Sequence, residues 1–308
     1  VSERREPSRA LTTGVLAGLG AGALWGLVFV APHMAPGLSS LDLAAGRFVS
    51  YGLVSVLLLA VVPGARAWPS ASQALWALGL SVLGFTGYYW LLVLAIRDAG
   101  TEVPTLIIGT IPLWVMLLGK PAGLRWAALL PGLAFTATGL VLMMHAQHDG
   151  SVPGDGPADF ARGVFWAVAA MACWTAFSLL NATWLARHPE VSAATWANWL
   201  GLATGAGALA LWLVFGTPAG ELAARPGIGL AVVVCMATGL GSAWLATVLW
   251  NMASQQLPAS LCGQLIVSET VFALLYSFVW DGRWPTLFQW AAGVLFTTGI
   301  LFSIKAHR

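Results

Sequence analysis

Ten apolar runs, each about as long as a bilayer is thick, follow one another along the chain with breakers between them. They fall roughly at 11–31, 41–62, 72–96, 103–119, 125–145, 161–185, 192–215, 228–254, 258–280 and 285–304. A spanning helix needs about 20 mostly apolar residues, and a helix satisfies its own backbone groups where lipid offers no partner. The intervals carry turn chemistry, as in PHMAPGLSS (32–40), VPGARAWPS (62–70), GKPAG (119–123) and WDGRWP (280–285). Of the 308 residues, 58% are hydrophobic and 8% charged. Mean hydropathy is +0.81. An average soluble domain is about 25% charged, and one aqueous core cannot cover this much apolar surface. The reading is an all-α integral membrane protein with ten transmembrane helices.

The first run follows Arg4, Arg5 and Arg9, as the core of a secretory signal would. It continues for about 22 residues without a convincing cleavage site and more runs follow, so it reads as a retained helix. Lys and Arg in the loops set the orientation. With the N-terminus inside, the inner side holds Arg4, Arg5, Arg9, Arg66, Lys120, Arg125, Arg187, Lys305 and Arg308, nine in all. The outer side holds four, Arg97, Arg162, Arg225 and Arg283, and Arg47 lies within a span. Both termini therefore read as cytoplasmic, in a multi-pass protein of the bacterial inner membrane.

Several classes are disfavoured. A net charge of +2 without a Lys/Arg-rich stripe gives no nucleic-acid footprint. Cys173, Cys235 and Cys262 lie in apolar runs with no zinc or redox spacing and read as small buried hydrophobes. The five histidines (His33, His145, His148, His188, His307) are scattered over span ends and loops. No nucleotide-binding loop and no G-x-S-x-G elbow occurs. The expectation is a non-enzyme with no cofactor and no metal.

The halves resemble each other. GALWGLVF (22–29) parallels MACWTAFS (171–178), TIPLW (110–114) parallels SETVF (268–272), and GLAFTATG (132–139) parallels AGVLFTTG (292–299). Five helices per copy is an odd number, so the second copy enters the membrane upside down, as in inverted-repeat transporters. The division is a first repeat at 1–146, an outer linker at 147–160 and an inverted repeat at 161–308.

These features carry a family resemblance over essentially the whole chain. The A-x-W segment opening each half, the proline-or-glutamate element of the fourth helix and the closing G-x6-G helix resemble the drug/metabolite transporter superfamily, with EamA-type members the nearest match. The tryptophan-rich character resembles its YddG-type aromatic amino-acid exporters. Asp281, and Gly119-Lys120 in the first half, stand where many members carry other residues, so that loop motif departs from the pattern. The resemblance implies ten helices, alternating access and export of aromatic or other hydrophobic amino acids.

Gly14, Gly18, Gly22 and Gly26 recur every four residues on the first helix, a spacing that lets helices approach closely or slide. Many of the 17 tryptophans sit near span ends, as interfacial anchors do. Trp25, Trp90, Trp114, Trp174, Trp244 and Trp250 do not, and an indole N–H inside a span needs a partner that lipid cannot supply. Trp174, Phe177, Ser178, Asn181 and Trp184 share one helical face, and Gln264 and Ser268 share another. GYYW (87–90) adds Tyr89. The candidate substrate residues are Trp25, Tyr89, Trp114, Trp174, Phe177, Asn181, Trp250 and Gln264. For each polar one the alternative is an interhelical hydrogen bond.

Two charges lie deep. Intramembrane charges are costly and face a cavity or a partner. Arg47 either snorkels, pairs with a carboxylate, or binds a substrate carboxylate. Glu269 either binds a substrate amino group, carries a coupling proton, or holds backbone groups freed near Pro112. The expected partners are the lipid bilayer and a small-molecule substrate with aromatic amino acids favoured, and the expected working unit is a monomer. The rivals are a drug or metabolite exporter on the same fold, and a non-transporting sensor or lipid enzyme.

Overall fold

The computed structural model describes residues 7–35, 37–62, 68–99, 102–146, 157–282, 284 and 286–307. Among them every regular element is helical. The main helices are α1 (Pro7–Gly26), α2 (Ser40–Val61), α3 (Ala71–Ala99), α4 in two pieces (Glu102–Gly109 and Ile111–Leu118) and α5 (Trp126–Ala146). They continue with α6 (Pro157–Arg187), α7 (Ala193–Phe215), α8 (Ile228–Gln256), α9 (Ala259–Asp281) and α10 (Leu287–Ala306). Residues 147–156 of the expected linker lie outside the described residues, as do Arg4, Arg5, Arg66, Arg283 and Arg308.

Seven of these helices are long and apolar enough to cross a membrane: α2, α3, and α6 to α10. Two shorter apolar stretches, Ile107–Leu118 and Trp126–Leu142, correspond to α4 and α5. The remaining run, α1, opens on Ser8, Arg9, Thr12 and Thr13 and is less apolar. Polar caps mark the starts. Ser39 accepts the Asp42 amide, and Ser192 accepts that of Thr195. Ser70 with Gln73 and Thr286 with Gln289 close full capping boxes, the Ser/Thr-x-x-Gln signature of a helix start.

Helix packing follows a rule. α2 packs on α7, α5 on α10 and α4 on α9; α1 packs on α8 and α9, while α6 packs on α3 and α4. Adding or subtracting five from each label maps this set of contacts onto itself. The α2–α7 crossing is backbone on backbone: a methyl built on Gly52 would lie 2.8 Å from the Gly205 Cα. Beside it the Tyr51 hydroxyl donates to the Ala197 carbonyl at 2.6 Å, and Ser81 pairs with Thr204 at 2.9 Å between α3 and α7. Helices in lipid gain little from burying apolar surface, so close packing and such polar links hold them together.

Polar contacts define the two ends of the bundle. At one, Asp98 at the end of α3 meets Arg162 at the start of α6 at 2.6 Å, and Asp42 accepts from Trp212 of α7 and from Thr217 of the α7–α8 connection. At the other, the Ser260 amide donates to the Gly119 carbonyl, Gln255 donates to the Val191 carbonyl and Ser260 meets His307.

Three departures from regular helix occur, and only the first, beside Pro112, is expected from the sequence. α4 breaks at Thr110, whose hydroxyl bonds the Ile107 carbonyl, and Pro112 sits in the first turn of the second piece, where its missing N–H costs nothing. Residues Val82–Thr86 of α3 and Gly239–Leu245 of α8 are π-helical. A methyl on Gly87 would meet the Val82 carbonyl at 2.6 Å, so glycine permits the wider turn there. The two π segments fall in helices that correspond under the exchange of halves.

Candidate substrate site

Aromatic rings from five helices form an unbroken path across the bundle. Trp250 of α8 lies 5.3 Å from Trp25 of α1, and both lie 6.2 Å from Trp174 of α6, centroid to centroid. Trp174 continues to Phe177 at 6.0 Å, Phe177 to Phe85 of α3 at 5.4 Å, and Phe85 to Phe48 of α2 at 5.8 Å. Tyr89 closes the path on Phe48 at 6.2 Å. These separations suit edge-to-face and tilted aromatic pairs. Gly84 in the α3 π segment makes room, because a methyl there would strike the Phe177 ring at 2.5 Å.

The path is not a sealed core. Trp25, Trp174, Phe85 and Tyr89 keep part of their surface accessible, whereas Phe177 and Trp250 are buried. The Trp250 indole N–H, the Thr175 hydroxyl and the Ser178 hydroxyl are buried without a partner among the described residues. Buried polar groups are normally satisfied, so these three donors are unusual for a helical interior.

Next to this wall stand the two deep charges. The Arg47 guanidinium lies 4.5 Å from the Phe48 ring centroid. It lies within electrostatic reach of Glu269 and of the Tyr88 and Tyr89 side chains, and Glu269 lies within reach of Tyr88. Both charged side chains are surrounded by protein yet keep some accessible surface. Two close approaches set their positions. A methyl on Gly239 of α8 would meet the Arg47 carbonyl at 2.8 Å, and one on Gly22 of α1 would meet the Glu269 amide nitrogen at 3.1 Å.

The structure thus gathers Trp25, Trp174, Phe177, Trp250, Tyr89, Arg47 and Glu269, and it sets the other three candidates apart. Asn181 is engaged at both ends: its amide donates to Asn251 at 3.1 Å and its oxygen accepts from Trp196 at 2.7 Å, which ties α6, α7 and α8 together. Gln264 donates to Thr136 at 2.9 Å and accepts from Ser303 at 3.2 Å, which joins α5, α9 and α10. Trp114 is 44% exposed and donates to Thr110 one turn back. The Tyr89 hydroxyl is also spent, donating to the Ser40 carbonyl, so Tyr89 offers its ring. Phe48 and Phe85 were not singled out from the sequence, and Tyr88 only as part of GYYW (87–90), although the glycines flanking Phe85 in GFTG (84–87) signalled a close approach.

A model of the EamA-like transporter family matches residues 12–144 and 161–305. The chain belongs to the EamA-like transporter family. It is thus a membrane transporter of the drug/metabolite superfamily. It is 30% identical over 309 residues to the inner membrane protein YtfF of Escherichia coli (strain K12), with 96% of each chain covered. A solved crystal structure superposes with a TM-score of 0.77 at 22% identity, over 96% of this chain and 98% of that one, which speaks to the fold alone. In this EamA-like transporter the aromatic path draws on both matched segments, with Trp25, Phe48, Phe85 and Tyr89 from the first and Trp174, Phe177 and Trp250 from the second.

Proposed function

We propose that this transporter exports aromatic and other hydrophobic amino acids across the bacterial inner membrane by alternating access, as a monomer and without a cofactor. The observation that carries the reading is the aromatic path, which crosses between the two halves where a central site belongs. Its rings stack apolar or aromatic side chains, and their faces attract an ammonium group. The halves are residues 1–146 and 161–308, the second inverted relative to the first, with both termini cytoplasmic. The exchange-symmetric packing, the paired π segments and the two separate family matches support that division. YtfF's printed description as an inner membrane protein supports the location.

The test is flux of tryptophan, phenylalanine and threonine through proteoliposomes of the purified protein, with and without a pH gradient. Faster movement of the aromatic pair than in empty liposomes is the expected result. If none of the three moves faster, the substrate reading fails. Resistance to planar drugs without amino-acid flux would instead identify a drug exporter on the same fold.

A further inference from the structure

Arg47 and Glu269 carry opposite charges and lie within electrostatic reach of each other, yet among the described residues they form no ion pair. Among the described residues neither side chain makes a hydrogen bond, and the Arg47 Nε is fully buried with no partner. That is costly for structural charges. Two ions placed only to hold helices together would close on each other, because a buried ion repays its desolvation only through good contact geometry. These two leave a gap, their charged atoms standing more than 4.0 Å apart. Gly239 fixes the backbone of one and Gly22 that of the other, and the aromatic path runs alongside. Tyr88, which both charges reach, has a hydroxyl with no partner among the described residues.

We propose that this gap is the binding site for the backbone of an α-amino acid, with Arg47 taking the carboxylate, Glu269 the ammonium and the aromatic path the side chain. The proposal rests on the reading of the path as a substrate site and adds the zwitterionic headgroup to it. In an α-amino acid the two charged groups sit on one carbon. Adding a charge-assisted hydrogen bond of about 2.8 Å at each end makes a unit that spans a cation and an anion standing beyond contact distance. Guanidinium is suited to the carboxylate because its planar fork matches both oxygens. The pair is electrically neutral overall, so it favours a neutral, charge-separated solute over a net anion or a net cation.

Binding to the purified full-length protein in detergent, measured by titration calorimetry, separates the two ends. The probes are L-phenylalanine, phenethylamine, which lacks the carboxylate, and 3-phenylpropanoate, which lacks the ammonium. The wild type should bind phenylalanine roughly 10- to 100-fold more tightly than either analogue, the worth of one charge-assisted hydrogen bond. Arg47→Gln should abolish the preference over phenethylamine and keep the preference over phenylpropanoate. Glu269→Gln should do the reverse. Both readouts are ratios of affinities, so a partly unfolded preparation leaves them intact, and Arg47→Lys supplies a charge-retaining control with an intermediate ratio. If both variants keep the wild-type ratios, or lose both preferences together, the clamp is overturned. In that case phenylalanine binding by the wild type leaves the aromatic-substrate reading standing. If the wild type binds none of the probes, both proposals fall.

Discussion

Gly52→Ala tests how far the α2–α7 crossing depends on bare backbone. The added methyl would sit 2.8 Å from the Gly205 Cα and 3.2 Å from the Gly201 carbonyl oxygen. Both are main-chain atoms, so no rotamer change relieves the clash and the helices must move apart. Overpacking of this kind costs about 1–3 kcal/mol, against which alanine recovers about 1 kcal/mol of helix propensity. Gly79→Ala supplies the control, since that α3 glycine is exposed and has nothing within 4 Å of the new methyl. It gains the same propensity with no clash. The difference between the two variants therefore isolates the overpacking term, about 1–3 kcal/mol, or roughly one to two powers of ten in the unfolding equilibrium. Unfolding by sodium dodecyl sulfate in mixed micelles, followed by circular dichroism, measures it. Adding Gly205→Ala to Gly52→Ala should cost less than the sum, because one separation of the helices accommodates both methyls. If Gly52→Ala and Gly79→Ala unfold at the same detergent fraction, the crossing is not the close backbone contact described.

Asn181→Ala leaves the Trp196 N–H and an Asn251 oxygen unpaired in the interior, and should destabilise the protein by about 1–3 kcal/mol in the same assay. Trp174→Ala removes the ring that joins Trp25 and Trp250 to Phe177 and should slow amino-acid flux, while Trp114→Ala should leave it near the wild-type rate. His307, just past α10, is held below its ordinary pKa of 6.5 by burial, partly opposed by its bond to the Ser303 carbonyl. The unfolded chain then binds the proton more readily. Its contribution to stability is full above pH 6.5 and is lost as the pH falls below that value. A melting series from about pH 8 to 5 should flatten in His307→Gln.

Helix positions were legible in the sequence because apolar runs and the turn residues between them each report a local requirement. The deep charges were legible for the same reason, since Arg47 and Glu269 interrupt runs that are otherwise apolar. The roles of Asn181 and Gln264 were not. A polar side chain inside a span serves either a ligand or a neighbouring helix, and helical periodicity is the same in both cases. Only the fold brings Trp196 and Asn251 to Asn181, and Thr136, 128 residues away in sequence, to Gln264. The π segments were hidden because glycine in an apolar helix fits close packing as well as a widened turn. Phe48 and Phe85 looked like ordinary apolar positions until the fold set them in line with Phe177.

The central claim is that an aromatic amino acid binds along the path joining Trp250, Trp25, Trp174 and Phe177. Photolabelling of the intact transporter in membranes with a diazirine derivative of phenylalanine, followed by peptide mapping, tests it most directly. The account predicts labelled peptides from α1, α6 and α8 that disappear when excess phenylalanine competes. Labelling confined to the separate cleft of about 270 Å³ between α2, α7 and α8, lined by Asp42, Trp212 and Cys235, or labelling that excess phenylalanine does not reduce, would contradict it.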